Sequence, residues 1–379
     1  MRNGGLYIHI PFCHNKCLYC DFYSGGVRIA DWENYVKCML NELKIKKNGI
    51  YSDIDPSTLY IGGGTPSLMP MDYLSKLIQG IEKMYGHKDW KEFTIEINPE
   101  DITEEKCKGW KNLGVNRVSV GIQSLDDKEL KRIGRRHDAE SSIMALKLMR
   151  KYFSNVSVDV IYGLPTQTPA SYLKTLEQLV ALEPQHISVY SLTVEPGTAL
   201  HVLDQQGKIE IPDEEEWIKL NRIAPDFLRS KGYLRYEISN YSLPGYEGRH
   251  NSSYWEGTPY IGLGPGAHSF NGYNVRESNY PDLKRYMKLL QTDVPTGYFQ
   301  KEILNDEELR EEMIMLSLRT SLGLDLLEFE KRFGIQKRNE LDKKAEKLIK
   351  QELLQLNGNN LIVTEKGQNL LDLINRSLI

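Results

Sequence analysis

The chain has 379 residues, of which 40% are hydrophobic and 26% charged, and a formal net charge of −4. This composition is typical of a globular protein and excludes a collagen, a disordered tail and a small disulfide scaffold. The longest apolar runs have only the length of strands, and no apolar signal region precedes the first of them, so we expect a cytoplasmic protein without membrane insertion. The slightly acidic charge balance gives no reason to expect nucleic acid as a partner.

Six runs of β-branched and aromatic residues, bounded by Gly, Pro or Asn, predict six strands. Helix-length segments with apolar residues three and four positions apart separate these runs. This alternation predicts parallel strands with right-handed crossovers, and therefore an open doubly wound sheet or a complete or partial (βα) barrel. The predicted strands are residues 6–10, 58–61, 93–97, 117–122, 156–162 and 186–192.

Glycines and polar residues lie in or just after several of these strands. A Gly-Gly-Gly-Thr-Pro run at residues 62–66 follows the second strand, Glu96 lies in the third, Gln123 follows the fourth and Asp159 lies in the fifth. A (βα) barrel would bring these residues together at its C-terminal rim, where such folds carry their chemistry. The sequence therefore favours a barrel with one shared site at this rim.

The last part of the chain is predicted to form a smaller second unit. Residues 244–280 are rich in Gly, Pro and Tyr and are predicted to be loops between short helices. From residue 306 the chain is helical and charged, and it ends with a short strand, a turn and an amphipathic helix, which is typical of a winged-helix-like α+β module. Residues 301–379 carry 13 basic and 15 acidic side chains, so this part of the chain lacks the excess of positive charge that is typical of DNA-binding domains. The predicted domains are residues 1–300 and 301–379.

Cysteine usage points to metal binding rather than to disulfides. The chain has five cysteines, an odd number, and no export signal is predicted. Cys38 falls on the apolar face of one predicted helix, and Cys107 lies in a lysine-rich one. We expect both to be bystanders, with Cys38 buried and Cys107 partly exposed.

The other three cysteines, Cys13, Cys17 and Cys20, form a C-x3-C-x2-C motif after the first predicted strand. Thiolates grouped in a loop suit a soft metal and are the usual ligands of iron–sulfur clusters. The alternative is a structural zinc site in which His14 supplies the fourth ligand, although the spacing differs from the paired C-x2-C of zinc sites. A four-iron cluster on three cysteines would leave one iron open to a further ligand.

This motif resembles the cluster motif of the radical S-adenosylmethionine (radical SAM) superfamily, which lies at the end of the first strand of a partial (βα)6 barrel. The run at residues 62–66 is similar to the glycine-rich SAM motif of that family, since a backbone without side chains can approach the ligand closely. The resemblance implies a [4Fe-4S] cluster, SAM bound to its fourth iron, and an electron donor as partner. In the family, an electron from the cluster cleaves SAM to a 5′-deoxyadenosyl radical.

Over essentially the whole chain, the resemblance narrows to the group that contains oxygen-independent coproporphyrinogen III dehydrogenases and haem chaperones of the HemW type. Shared stretches include residues 95–99, 119–124 and 159–165. Carboxylates and amide oxygens can accept hydrogen bonds from the amine and ribose of SAM, and an arginine can pair with its carboxylate. The SAM contacts implied by this resemblance are Tyr7, Gly63, Gly64, Thr65, Glu96, Gln123, Arg135 and Asp159.

Two departures separate this chain from the dehydrogenases of the group. Those enzymes have an N-terminal extension and a fourth cysteine two residues beyond the triad, whereas here six residues precede Tyr7 and Phe22 occupies the cysteine position. The chain also contains the H-N-x-x-Y motif that HemW-type chaperones use for haem binding. By resemblance, the haem contacts are His250, Asn251 and Tyr254.

The leading hypothesis is therefore a HemW-like protein that binds haem through His250 and delivers it to haem-accepting proteins. The alternative is a dehydrogenase that drives radical oxidative decarboxylation of coproporphyrinogen III to protoporphyrinogen IX. A radical SAM enzyme acting on another substrate is a third possibility. His268 follows a glycine turn and could reach the site, which the sequence alone does not decide.

Overall fold

The computed structural model of the protein describes residues 1–27, 30–86, 89–292 and 295–379. Short runs of extended backbone in these ranges pair into one large sheet and two small ones. The strands are β1 (Arg2–Ile10), β2 (Phe12–Cys13), β3 (Gly25–Gly26), β4 (Ile54–Gly63), β5 (Glu92–Ile97), β6 (Arg117–Gln123), β7 (Val156–Tyr162), β8 (His186–Ser191), β9 (Leu234–Arg235), β10 (Asn240–Ser242), β11 (Tyr260–Leu263), β12 (His268–Phe270), β13 (Val275–Asn279), β14 (Phe299–Ile303), β15 (Leu324–Asp325), β16 (Leu354–Asn357) and β17 (Asn360–Val363).

Helices follow most of the parallel strands and make up much of the C-terminal part. Within the described ranges, no helix combines the length and the apolar character needed to cross a membrane. The helices are α1 (Trp32–Lys47), α2 (Met71–Tyr85), α3 (Glu104–Asn112), α4 (Asp127–Arg132), α5 (Ala139–Tyr152), α6 (Pro169–Ala181), α7 (Ala199–Gln205), α8 (Glu214–Ser230), α9 (Arg249–Trp255), α10 (Leu283–Leu290), α11 (Asp306–Ser317), α12 (Leu326–Lys350, kinked at Gly334), α13 (Glu365–Gln368) and α14 (Leu371–Leu378).

The large sheet has the order β14-β13-β12-β11-β1-β4-β5-β6-β7-β8-β10-β9. Its central strands β1, β4, β5, β6, β7 and β8 are parallel neighbours and correspond to the six strands predicted from sequence. Apolar residues of these strands, such as Ile8, Ile95 and Val158, are fully buried in the core, whereas polar residues such as Ser119 and Asp159 alternate with them and line the opposite face. Because the order has two free ends, the barrel is partial, and the fold is that predicted for a radical SAM protein.

Residues 244–280, predicted to be loops, contain three strands instead. Strand β11 pairs in parallel with β1, with Leu6 opposite Ile261, and β12 and β13 continue the sheet in antiparallel fashion. These strands have only three to five residues each, so they show too little alternation to be recognised. The turn between β11 and β12 needs glycine, since Gly264 and Gly266 have φ angles of +99° and +80°.

A buried ion pair joins helix α1 to strands β11 and β12. The Nζ atom of Lys46 lies 3.0 Å from Oε1 of Glu42 and donates to the Gly262 carbonyl and to Oγ of Ser269, both at 2.8 Å. The Glu42 carboxylate also accepts from the backbone N–H of Gly264 at 3.0 Å. Both charges are thus compensated inside the protein, and the β11–β12 turn is held in one place.

The C-terminal part has a hydrophobic core of its own, which includes Ile314, Phe329, Leu348 and Ile374. Its three-stranded sheet, β15-β17-β16, lies among helices α11 to α14 in a winged-helix-like arrangement. Strand β14 crosses the boundary predicted between residues 300 and 301 and pairs with β13 of the large sheet. A boundary after residue 303 therefore fits the structure better.

The two bystander cysteines are both buried, with Cys38 1% and Cys107 0% exposed. The prediction of partial exposure was wrong for Cys107. Helix α3 turns Cys107 and Trp110 toward the core and leaves its charged residues in solvent, so the lysine-rich composition described only the outer face.

Candidate functional site

A cavity of about 440 Å³ opens at the carboxyl ends of the parallel strands. All three cysteines of the C-x3-C-x2-C motif line it, together with seven of the eight residues predicted to contact SAM. We call it the cysteine cavity; its lining includes Cys13, Cys17, Cys20, Gly63, Gly64, Thr65, Glu96, Gln123, Arg135 and Asp159. The structure thus brings together residues that lie up to 146 positions apart in the sequence.

The cysteine loop follows strand β1 and carries three free, half-buried thiols. Oγ1 of Thr65 donates to Sγ of Cys13 at 3.4 Å, and Nη1 of Arg135 donates to Sγ of Cys17 at the same distance. Burial raises the pKa of the Cys20 thiol to about 11. A bound cation would be needed to keep Cys20 ionised at neutral pH.

The glycine run at the end of β4 lets the backbone approach the cysteine loop closely. The backbone N–H of Gly64 donates to the Ile10 carbonyl at 2.8 Å. A Cβ atom on Gly64 would lie 2.8 Å from the Phe12 carbonyl oxygen and 3.0 Å from Sγ of Cys13. Any larger residue would therefore push against the loop and occupy the space beside its first thiol.

Two carboxylates face the cavity from the neighbouring strands. Glu96 accepts from the Tyr60 hydroxyl at 2.8 Å and from the backbone N–H of Gly63 at 3.0 Å, and burial, aided by the charge of Asp159, raises the pKa of Glu96 to about 7. Burial also raises the pKa of Asp159, which accepts from Oγ of Ser119 at 3.3 Å. Both are half-buried acceptors that a ligand amine or hydroxyl group would stabilise in their ionised form.

Two buried polar atoms at the cavity have no hydrogen-bond partner among the described residues: Oε1 of Gln123 and Nε of Arg135. Gln123 has a left-handed backbone, with φ of +66°, at an irregularity of strand β6. Arg135 uses Nη2 to bind Oδ1 of Asn98 at 2.9 Å and the Gly121 carbonyl at 2.6 Å. A ligand with both donors and a carboxylate, as SAM has, matches this unused capacity.

The geometry does not favour the zinc alternative. In the part of the chain that the structure describes, no group of three or more His, Cys, Asp or Glu side chains is arranged around a single metal position. His14, the proposed fourth zinc ligand, is exposed and does not line the cavity. His14 therefore does not lie at the cavity that the three cysteines line, where the zinc alternative requires its fourth ligand.

A second cavity of about 750 Å³ lies between strands β1 and β12 of the large sheet and helices α11 and α12. Tyr7, predicted to contact SAM, lines this cavity and not the cysteine cavity; its hydroxyl lies 3.1 Å from Nδ1 of His9. Among the residues that the structure describes, Phe22 alone lines both cavities. We call the second one the aromatic cavity after the rings that line it: Tyr7, His9, Phe22, Tyr23, Tyr254, Trp255, Tyr260, His268 and Phe270.

The three residues expected to contact haem are placed very differently. His250 is completely buried and lines neither cavity; its Nδ1 pairs with Oγ1 of Thr58 and its Nε2 with the Tyr254 hydroxyl, both at 2.8 Å. Burial lowers the pKa of His250 to about 3. Tyr254 lines the aromatic cavity, whereas the half-buried Asn251 lines neither. In this geometry His250 orients Tyr254 and does not present its own nitrogens to a ligand.

Sequence reasoning missed the aromatic cavity as a unit. Its walls include Leu309, Met313 and Leu316 of helix α11, which nothing in the sequence connects with Tyr7 or with the β12 strand. The available signal was the glycine turn before His268, which marks a fixed backbone but not the direction of the side chain.

Two family models match the chain. Residues 7–179 match the radical SAM superfamily, and residues 304–370 match the HemN C-terminal domain. The solved structure of coproporphyrinogen III oxidase (HemN) from Escherichia coli, described as a radical SAM enzyme, superposes with a TM-score of 0.84 at 23% identity, covering 100% of this chain and 90% of that one. The chain is a member of the radical SAM superfamily.

Curated relatives narrow this assignment. The "Heme chaperone HemW" of Bacillus subtilis is 35% identical over 332 residues, which cover 86% of this chain and 86% of the relative. That of Lactococcus lactis is 31% identical over 369 residues, 97% of this chain and 94% of the relative. Within the superfamily, the chain belongs to the HemW family.

Proposed function

We propose that this protein binds haem and delivers it to haem-accepting proteins, and that it carries a [4Fe-4S] cluster and SAM at the cysteine cavity. The observation that carries the proposal is the aromatic cavity, which lies beside the cysteine cavity but has different walls. A porphyrin needs a wide apolar site, and a volume of about 750 Å³ is within the range of cofactor sites. The names of the relatives support haem as the ligand.

Cys13, Cys17 and Cys20 hold the cluster in this proposal, and the cluster supplies an electron to SAM when both are bound. The Arg135 guanidinium next to Cys17 offsets the negative charge of the thiolates. Thr65 donates to Cys13 and holds its sulfur toward the cavity.

The SAM contacts in the proposal are the residues that the cysteine cavity brings together. Glu96 and Asp159 accept from the amine and the ribose hydroxyls, and Gln123 offers its unpaired oxygen. Arg135 has an unpaired Nε for the SAM carboxylate, and Gly63 and Gly64 line the cavity with backbone alone, which the amino end of SAM can approach closely. Tyr7 is not among them, since it faces the other cavity.

On the haem side, Tyr254 is the contact that the H-N-x-x-Y motif contributes, and His250 keeps its ring in place. The C-terminal domain, which we place at residues 304–379, supplies the opposite wall through helix α11. In this proposal the domain covers the bound ligand, and this role does not involve nucleic acid.

The competing function is radical decarboxylation of coproporphyrinogen III. The likeness to the Escherichia coli enzyme is at 23% identity and supports the fold, which both functions share. Phe22, where the resemblance implies a fourth cysteine in the dehydrogenases, favours the chaperone.

Anaerobic reconstitution, followed by haem titration and a coproporphyrinogen III assay on the same sample, tests the proposal. We expect one haem per chain and no protoporphyrinogen IX. Sustained turnover of coproporphyrinogen III, or failure to bind haem with the cluster intact, would overturn it.

A further inference from the structure

The aromatic cavity contains an imidazole that the H-N-x-x-Y motif does not include. His268 is exposed to the cavity, and its ring has no hydrogen-bond partner among the described residues. By contrast, His9 in the same cavity uses Nδ1 toward the Tyr7 hydroxyl and Nε2 toward the Tyr23 carbonyl, at 3.1 and 2.9 Å. Because both nitrogens of His250 are also occupied, His268 is the histidine at this site that can offer a nitrogen without breaking a bond.

The backbone holds His268 in this orientation. Side chains alternate along a strand, and in β12 the middle residue, Ser269, points inward to Lys46 at 2.8 Å. His268 and Phe270 on either side therefore face the cavity together. The strand cannot shift freely, because a Cβ atom at Gly262 would already lie 2.0 Å from the His268 carbonyl oxygen.

We propose that His268 is the protein ligand to the iron of haem bound in the aromatic cavity. The inference rests on the proposed function for the identity of the ligand, but it assigns the iron to a residue outside the family motif. A neutral imidazole is the commonest protein ligand of haem iron. Partial desolvation by the cavity walls, together with the charges of Arg276 and Lys46, lowers the pKa of His268 and favours the neutral ring.

The walls around His268 suit a flat, apolar macrocycle. Tyr260 and Phe270 contribute rings from the sheet, and Leu309, Met313 and Leu316 face them from helix α11. The Tyr254 and Tyr260 rings pack edge to face, with centroids 4.7 Å apart and planes at 80°, which gives this wall a fixed shape.

A cation for a haem propionate is also present. Arg332 lines the cavity and is exposed, and it forms no ion pair with any carboxylate in the described part of the chain. Arg276, the other arginine of the lining, is already bidentate to Glu312 at 2.7 and 3.0 Å. Arg332 is therefore the guanidinium available to a propionate at the rim.

The test compares His268→Ala with His201→Ala, which removes a histidine of helix α7 outside both cavities. Full-length, anaerobically reconstituted protein is titrated with haem and, separately, with iron-free protoporphyrin IX. We expect His268→Ala to lose the absorption spectrum of histidine-ligated haem. Its haem affinity should fall at least about 10–100-fold, because removing even a residue that only supports a metal ligand has an effect of this size. Affinity for the iron-free porphyrin should stay unchanged, and added imidazole should restore the spectrum.

The outcomes separate this inference from the proposed function. If the unaltered protein binds no haem, the proposed function fails. If it binds haem and His268→Ala keeps the same spectrum and affinity, the proposed function stands and the ligand assignment is wrong. An equal loss of affinity for haem and for iron-free porphyrin would show that the substitution damaged the cavity wall. This result would also overturn a specific role of His268 in binding iron.

Discussion

The two cavities at the rim of the barrel are built in different ways. The cysteine cavity is lined by strand ends and backbone, and it contains buried polar atoms without partners. The aromatic cavity is lined by rings from the sheet and by aliphatic side chains from a helix of the C-terminal domain. The first is suited to a small polar ligand bound by many directed contacts, and the second to a large apolar one bound by area.

Cys17→Ser is expected to have the largest effect and to separate cluster binding in the cysteine cavity from haem binding in the aromatic cavity. Because a serine hydroxyl does not replace a thiolate as a ligand for iron, the variant should lose essentially all cluster iron and sulfide, while haem binding in the other cavity persists. Iron and sulfide analysis with a parallel haem titration checks this. Cys38→Ser, which changes a buried cysteine away from both cavities, is the control and should keep its cluster. Retention of full iron in the Cys17 variant would refute the cluster assignment.

Glu42→Ala should give the largest loss of stability. It leaves the Lys46 ammonium buried without its partner, at a cost of about 3–5 kcal/mol, and it releases the turn that leads to His268. Urea unfolding measures the loss. Glu33→Ala removes an exposed carboxylate of the same helix, 2.8 Å from Lys37, and should cost far less stability, because water screens an exposed ion pair. Similar costs for the two variants would mean that the buried network does not hold the turn.

Glu96→Gln should weaken SAM binding about 10–100-fold, the effect of losing a hydrogen bond to a charged group. The pKa of Glu96 is raised to about 7, so protonation should already weaken SAM binding by the unaltered protein as the pH falls from about 8 to 6. The glutamine variant should lack this pH step. Anaerobic equilibrium dialysis across that range, with haem titration as the control, is the measurement; a step that survives in the variant would point to another group.

The smallest effect is expected from Gln123→Gly, which keeps the left-handed backbone and removes the unpaired side-chain oxygen. Losing one neutral hydrogen bond should lower SAM affinity about fivefold. Glu183→Gly is the matched control, because Glu183 also has a positive φ, of 51°, but lies outside the cavity. If both variants bind SAM equally well, the Gln123 oxygen does not contact it.

The different construction of the two cavities also explains why the sequence predicted the cysteine cavity but not the aromatic cavity. The cysteine cavity follows from the order of strands and helices, because the ends of parallel strands must meet at one edge. The aromatic cavity depends on how β11 to β13 and helix α11 pack, and strands as short as His268–Phe270 leave no periodic signal. His250 shows the remaining limit: its motif was visible, but its burial and its bond to Tyr254 depend on tertiary packing.

The walls of the aromatic cavity come from two units with separate hydrophobic cores. Whatever binds there contacts both units at once, so its binding free energy adds to the docking of one unit on the other. Occupancy should therefore slow limited proteolysis near the β14–α11 junction, and a proteolytic time course would report loading without any spectroscopic probe.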